Sequence, residues 1–325
     1  MKKKIIAALS LITLLAMTVL TGCGGSAKTS DVSMAFCTWT GYAPMFIAEK
    51  EGYFKDAGIN MTIQVIEDES TYASLLTQGS MPFIATAQDP NIKMFANGAP
   101  SRYVLMMDAS NGADGLVARA DIKTLDDLKG KSVALDKTAS SYYFFLKALE
   151  QKSSITEADV NVIDMGDTTE AGLAFISGNA DAAIMWEPEL SEALESVEGA
   201  HALVTSADVP GAIMDSLVVN AKFAEENPEV VEAVKEAWYK AIDFMKENPA
   251  KAYEDMASGF AEVSAEDIEA DCEGLIFYGR AENEKFNTSA GDDSVRAISQ
   301  GMADFWTEKG ECKTDDLTEF FGLLK

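Results

Sequence analysis

This sequence predicts an α/β fold in two lobes, on three observations. Short apolar runs alternate with helix-period segments from Val32 onward, the pattern of strand–helix units around a mostly parallel sheet. One run, Tyr103 to Met107, is uninterrupted and apolar, as in strands buried on both faces. The chain has 325 residues, of which about 300 follow a leader-like N-terminus, more than one core ordinarily organises.

The N-terminus reads as a sorting signal over residues 1–22. Lys2, Lys3 and Lys4 form a charged region, and Ile5 to Leu20 is apolar with Ser10, Thr13 and Thr18 interrupting it. Leu20-Thr21-Gly22-Cys23 closes it with small residues and a cysteine placed for lipidation. Residues 23–30, rich in Gly, Ser and Thr, read as a flexible tether. An ordinary cleaved leader or an uncleaved anchor is the alternative.

From Val32 to Thr38 the chain reads as a strand. Trp39, Gly41, Tyr42 and Pro44 make a tight aromatic turn, and Met45 to Ala48 open a helix with Pro in its first turn. In open α/β sheets ligands sit beyond the carboxyl ends of strands, so Trp39 and Tyr42 are either ligand walls or core. A second strand follows from Met61 to Ile66. After Glu67-Asp68-Glu69-Ser70 comes a helix through Tyr72 and Leu76 to Gly79. A third strand, Phe83 to Ala85, ends in Thr86-Ala87-Gln88-Asp89-Pro90, and a helix from Asn91 stops before Gly98.

Asp108 to Gly115 is the first real break, followed by strand Leu116 to Ala118. Thr124-Leu-Asp-Asp127 has capping-box spacing. Strand Ser132 to Leu135 runs into Asp136-Lys137-Thr138-Ala139-Ser140-Ser141-Tyr142, a hydroxyl-rich turn feeding a helix. Its first N–H groups and the macrodipole suit an anion, although Ser140 is equally a plain N-cap. Helix Thr168 to Ser177 precedes strand Asp181 to Met185. Trp186-Glu187-Pro188 is extended because of the proline, and helix Glu189 to Ser196 follows. The segment Met214 to Asn220 precedes an amphipathic helix after Pro228. Val230, Val231, Val234, Ala237, Trp238, Ile242 and Met245 share its core face. Helices start at Asn248-Pro249 and at Ser264, another spans Ser294 to Lys309, and Leu317 to Leu324 packs back on the first lobe. There is no internal repeat.

The chain carries 26 basic and 53 acidic residues, a net charge of −27, and loses three more positive charges with Lys2, Lys3 and Lys4. That field excludes nucleic acid as a partner and suits an extracytoplasmic protein. An anionic ligand is then held by local dipoles against the overall field. Cys37 reads as a buried small hydrophobe. Cys272 and Cys312 could pair in an oxidising compartment or remain free. With His201 as the single histidine, His-based catalysis and His/Cys metal sites have little material. Neither a cofactor nor a metal is expected.

Three stretches carry a family resemblance. They are Trp39 to Ile59 with Lys50-Glu51-Gly52-Tyr53-Phe54, the Thr124-to-Leu149 unit, and Gly178-x-x-Asp181-Ala-Ala followed by Trp186-Glu187-Pro188. Together they resemble the solute-binding proteins of ABC importers, of the nitrate/sulfonate/taurine type. The resemblance covers the mature chain and weakens after residue 250. It implies the type II periplasmic-binding fold, with lobe 1 at 31–111 and 216–325 and lobe 2 at 112–215. Asp108–Gly115 and Met214–Asn220 would be the crossings. A cleft would capture a small ligand by hinge closure and deliver it to a permease and its ATPase, the protein being a lipid-anchored monomer. The implied ligand is an aliphatic sulfonate such as taurine, with nitrate or a thiamine-pyrimidine or other heteroaromatic precursor as alternatives. The implied ligand residues are Trp39, Gly41, Tyr42, Ser70, Thr86, Gln88, Asp114, Thr138, Ser140, Ser141, Tyr142, Trp186, Glu187 and Asp215, with Cys23 lipidated. Gln88 departs from the acidic residues frequent at its position. Some proteins of this fold are thiamine-pyrimidine synthases with a cysteine-rich motif and a sacrificial histidine. Here the cysteines are dispersed and His201 lies outside the cleft motifs, so a binding protein rather than an enzyme is expected.

Overall fold

The computed structural model describes residues 29–291 and 294–324. The leader, the tether and Cys23 lie outside the described residues. Two mixed sheets organise the chain. The first holds β1 (Ser30–Phe36), β2 (Ile59–Val65), β3 (Phe83–Ala87), β4 (Ser101–Ser110), β10 (Met214–Asn220) and β11 (Leu275–Phe277), in the order β11-β4-β10-β3-β1-β2. The second holds β5 (Asp114–Ala118), β6 (Ser132–Leu135), β7 (Asn161–Asp164), β8 (Ala182–Trp186) and β9 (His201–Thr205), in the order β7-β6-β8-β5-β9.

The helices in chain order are α1 (Pro44–Lys50), α2 (Tyr53–Asp56), α3 (Tyr72–Gln78), α4 (Gln88–Ala96), α5 (Ser140–Lys152), α6 (Thr168–Ile176) and α7 (Glu189–Ser196). Then come α8 (Ala221–Glu226), α9 (Pro228–Glu247), α10 (Pro249–Ala257), α11 (Ala265–Cys272), α12 (Arg280–Thr288) and α13 (Val295–Glu308).

The expected parallel sheets are interrupted where the chain changes lobes. β1 pairs with β2 and β3 in parallel, as β6 does with β7 and β8. β10 runs antiparallel between β3 and β4, and β5 runs antiparallel between β8 and β9. These reversed strands are the ones by which the chain enters each lobe. Met214 and Asp215 therefore belong to the six-stranded sheet, not to the segment 112–215. Ser110 Oγ and Ser206 Oγ lie 2.7 Å apart, and Gly112 N–H donates to Ser206 Oγ at 2.7 Å, so the two crossings are tied together.

Helix boundaries follow local chemistry. The proline at the start of α1, α9 and α10 has no N–H to waste in a first turn. Thr124 and Ser264 both form the reciprocal cap with an aspartate three residues on. Gln88 starts α4 three residues earlier than expected, with Pro90 in its first turn. Trp238 on α9 is fully buried and its indole N–H donates to Tyr278 O at 2.9 Å. At the C-terminus Phe320 and Phe321 pack on Tyr103, whose N–H donates to Phe320 O at 2.8 Å. Cys272 and Cys312 are both free and sit in separate apolar clusters. Among the described residues no helix is long and apolar enough to cross a membrane.

Candidate functional site

A small cavity lies between the two sheets, at the carboxyl ends of β1, β3 and β8 and the starts of the reversed strands β5 and β10. From the first lobe, Trp39 and Tyr42 project from the turn after β1, and Thr86 and Ala87 from the end of β3. Asp215 comes from the start of β10. From the second lobe come Asp114 at the start of β5, Trp186 at the end of β8, and Ala139 and Ser140 at the start of α5. Asp114 and Trp186 are cross-strand partners, so one carboxyl and one indole share a single sheet edge.

Acids dominate the wall. Asp114 is 2 % exposed, and burial raises its carboxyl to about 8. Glu69, in a short 3-10 turn over Glu69–Thr71, reaches into the cavity and accepts from Cys37 Sγ at 3.2 Å and Thr86 Oγ1 at 3.0 Å. Burial raises it to about 7 even against those two bonds. Asp215 accepts the phenol proton of Tyr42 at 2.5 Å and is likewise displaced upward by burial. Behind it, Asp108 accepts from the Trp39 indole at 3.1 Å. Gly41 packs so closely on Asp108 and Trp39 that a Cβ there would collide with both. Among the described residues neither lysine nor arginine lines the cavity.

Seven of the expected residues line this space: Trp39, Tyr42, Thr86, Asp114, Ser140, Trp186 and Asp215. Gly41 supports it by close packing. Ser141 lies one step behind, fully buried with its hydroxyl unpartnered. The other five are engaged elsewhere. Ser70 is exposed and bonded to Asp68. Gln88 donates to Ser299 Oγ at 2.7 Å and accepts from Ser216, inside the first lobe. Thr138 turns back onto Asp136. The Tyr142 phenol bonds Glu157 at 2.5 Å and its ring lies on Trp306, on the far side of α5. Glu187 takes the N–H and hydroxyl of Ser191 at 3.0 Å each, capping α7.

Glu69 and Asp108 belong to the site although neither stands out in the sequence. Both stand at carboxyl ends of strands, where ligands gather. Cys37, expected as core, is buried and also touches the cavity. His201 is only partly buried on β9, away from the cavity. Among the described residues no cluster of three or more metal-ligand side chains occurs.

Two α/β lobes with polar and aromatic side chains converging between them define the periplasmic-binding-protein fold. The chain belongs to the NMT1/THI5 like family, whose model matches residues 39–252. It is 28% identical over 316 residues to a putative aliphatic sulfonates-binding protein of Bacillus subtilis, covering 94% of this chain and 90% of that one. Its fold is that of the periplasmic aliphatic sulphonate binding protein of Escherichia coli, at a TM-score of 0.72 and 21% identity, covering 91% and 98% of the two chains. The periplasmic nitrate-binding protein of Synechocystis is similar in fold too, at a TM-score of 0.68 and 15% identity, covering 90% and 84%.

Proposed function

We propose that this chain is the extracytoplasmic solute-binding component of an ABC importer, and that its solute presents a protonated amine or a set of amino donors to the cavity carboxyls. One observation carries the ligand class: Glu69, Asp114 and Asp215 line a cavity that has no basic side chain. A bare anion there meets buried carboxyls without a counter-charge, the arrangement that desolvation penalises most. An ammonium or amidinium instead supplies the missing partner, and the faces of Trp39, Tyr42 and Trp186 favour a cation or a flat ring.

The sulfonate named for the relatives fits in zwitterionic form, and this is the second reading. Taurine offers its ammonium to the acids and its sulfonate to the first N–H groups of α5, beside the unpartnered Ser141 hydroxyl. Nitrate and amine-free alkanesulfonates fit less well. An aminopyrimidine fits the first reading. The lobes close about the crossings at 111–113 and 206–213, and the closed form is handed to a permease and its ATPase. The protein works as a monomer held to the membrane by a lipid on Cys23, and it binds its solute without turning it over.

A thermal-shift panel tests the ligand class with taurine, isethionate, nitrate and 4-amino-5-hydroxymethyl-2-methylpyrimidine. A ligand at about 100 times its dissociation constant adds about 2.7 kcal/mol. Stabilisation by an amine-bearing member supports the reading. Stabilisation by isethionate or nitrate alone refutes it.

A further inference from the structure

Asp108 and Asp215 are direct cross-strand partners on β4 and β10, at 0 % and 3 % exposure. Each gives one oxygen to an aromatic beside the cavity. Asp108 Oδ1 accepts from the Trp39 indole at 3.1 Å, and Asp215 Oδ1 from the Tyr42 phenol at 2.5 Å. The second oxygen of each, Oδ2, is buried with no donor. Gly41 lies flat on the Asp108 carboxyl, where any side chain would collide. Two buried acceptors without a donor are expensive, and one proton shared between them satisfies both, since a protonated carboxyl donates where a carboxylate accepts.

Among the described residues no cation is found to face the pair. Asp114 on β5, Glu69 before α3 and Asp89 on α4 face it as acids. Cys37 after β1, Cys272 on α11 and Tyr278 after β11 face it as groups neutral near pH 7, with thiols and phenol all displaced upward. Like charges this close, unscreened, cannot both ionise. Burial and then its neighbour hold Asp108 well above the usual carboxylate range.

We propose that Asp108 and Asp215 act as one monoanionic unit sharing a single proton, and that Asp108 is a positioning residue. It holds the Trp39 indole directly and, by bonding Asp215, fixes the Tyr42 phenol. The cavity then receives one negative charge from the pair, on Asp215, the member that lines it. The unit lies on the two strands that run into the lobe crossings, so loss of its proton sets two like charges against each other at the hinge. The inference does not depend on which solute the cavity takes.

The test needs no ligand. Net charge is read from electrophoretic mobility of the folded protein at pH 7 for wild type, Asp108→Asn and the exposed control Asp243→Asn. A shared proton predicts that Asp108→Asn leaves the net charge unchanged, because an amide replaces a neutral acid, while Asp243→Asn shifts it by one unit. The one-unit difference emerges for Asp108→Asn only at alkaline pH, as the wild-type pair loses its proton. A one-unit shift already at pH 7 overturns the proposal. Asp215→Asn gives the same reading should Asp108→Asn fail to fold. The indole N–H resonance of Trp39, assigned with Trp39→Phe, checks positioning. It persists in Asp108→Asn, whose amide oxygen still accepts, and is lost from its shifted position in Asp108→Ala. Its persistence in Asp108→Ala overturns the positioning role.

Discussion

Ser110 and Ser206 join the two chain crossings at one point, hydroxyl to hydroxyl at 2.7 Å. Ser206 is 1 % exposed and also accepts the Gly112 N–H at 2.7 Å. The paths from the first lobe to the second and back are thus pinned side by side, just below the cavity that both lobes line. Ser206→Ala leaves that N–H and the Ser110 hydroxyl short of a partner. We expect a loss of about 1–3 kcal/mol in denaturant unfolding, against a change near zero for the exposed Ser154→Ala.

The cavity acids make the ligand-free protein less stable as pH rises. Burial raises Glu69 to about 7 and Asp114 to about 8, above the unfolded range near 4. Above about pH 4 the unfolded chain gives up these protons while the folded one keeps them. Stability therefore falls as pH climbs from about 4 through 7 to 8, then levels. Glu69→Gln removes one such group. It should raise stability by about 2 kcal/mol or more at pH 8, with little effect at pH 4, in unfolding curves measured at both.

Gly41→Ala tests the close packing behind the aromatic turn. The new methyl meets the Asp108 carboxyl and the Trp39 indole, so the turn must shift to admit it. We expect about 1–3 kcal/mol of destabilisation, together with a displaced Trp39 indole resonance. Gly58→Ala is a control with space for its Cβ, though its positive φ of 75° carries its own strain.

The ends of strands were the legible part of this molecule. The strand-end rule marked Trp39 and Tyr42 as either ligand walls or core, and Thr86, Trp186 and Asp215 came with the family resemblance; all five line the cavity. Glu69 was missed because Glu67-Asp68-Glu69-Ser70 reads as a solvated acidic turn. Only the 3-10 turn over Glu69–Thr71 directs Glu69 inward and leaves Ser70 outside. Tyr142 illustrates a second limit. A helix start is readable, but which of its first residues faces the cleft depends on how α5 packs on α13, and Trp306 draws Tyr142 outward. Asp108 reads as the first residue of the break Asp108–Gly115, whereas β4 continues to Ser110 and buries it. Its partner Asp215 lies more than a hundred residues along the chain, beyond any local pattern. Strand direction was equally opaque, because β5 and β10 look like any apolar run yet are reversed where the chain changes lobes, and β11 too runs antiparallel to β4.

Paired ligands measure the charge preference of the cavity most directly. Isothermal titration of taurine against isethionate, which differ by an ammonium for a hydroxyl, isolates the cationic end. The aminopyrimidine against its 4-hydroxy analogue does the same for a ring. In whichever pair binds, the amine member should bind about 100-fold more tightly, or about 2.7 kcal/mol, and the gap should widen from pH 6 to pH 8 as Glu69 and Asp114 ionise. Isethionate or nitrate binding as tightly as any amine at pH 8 would contradict it.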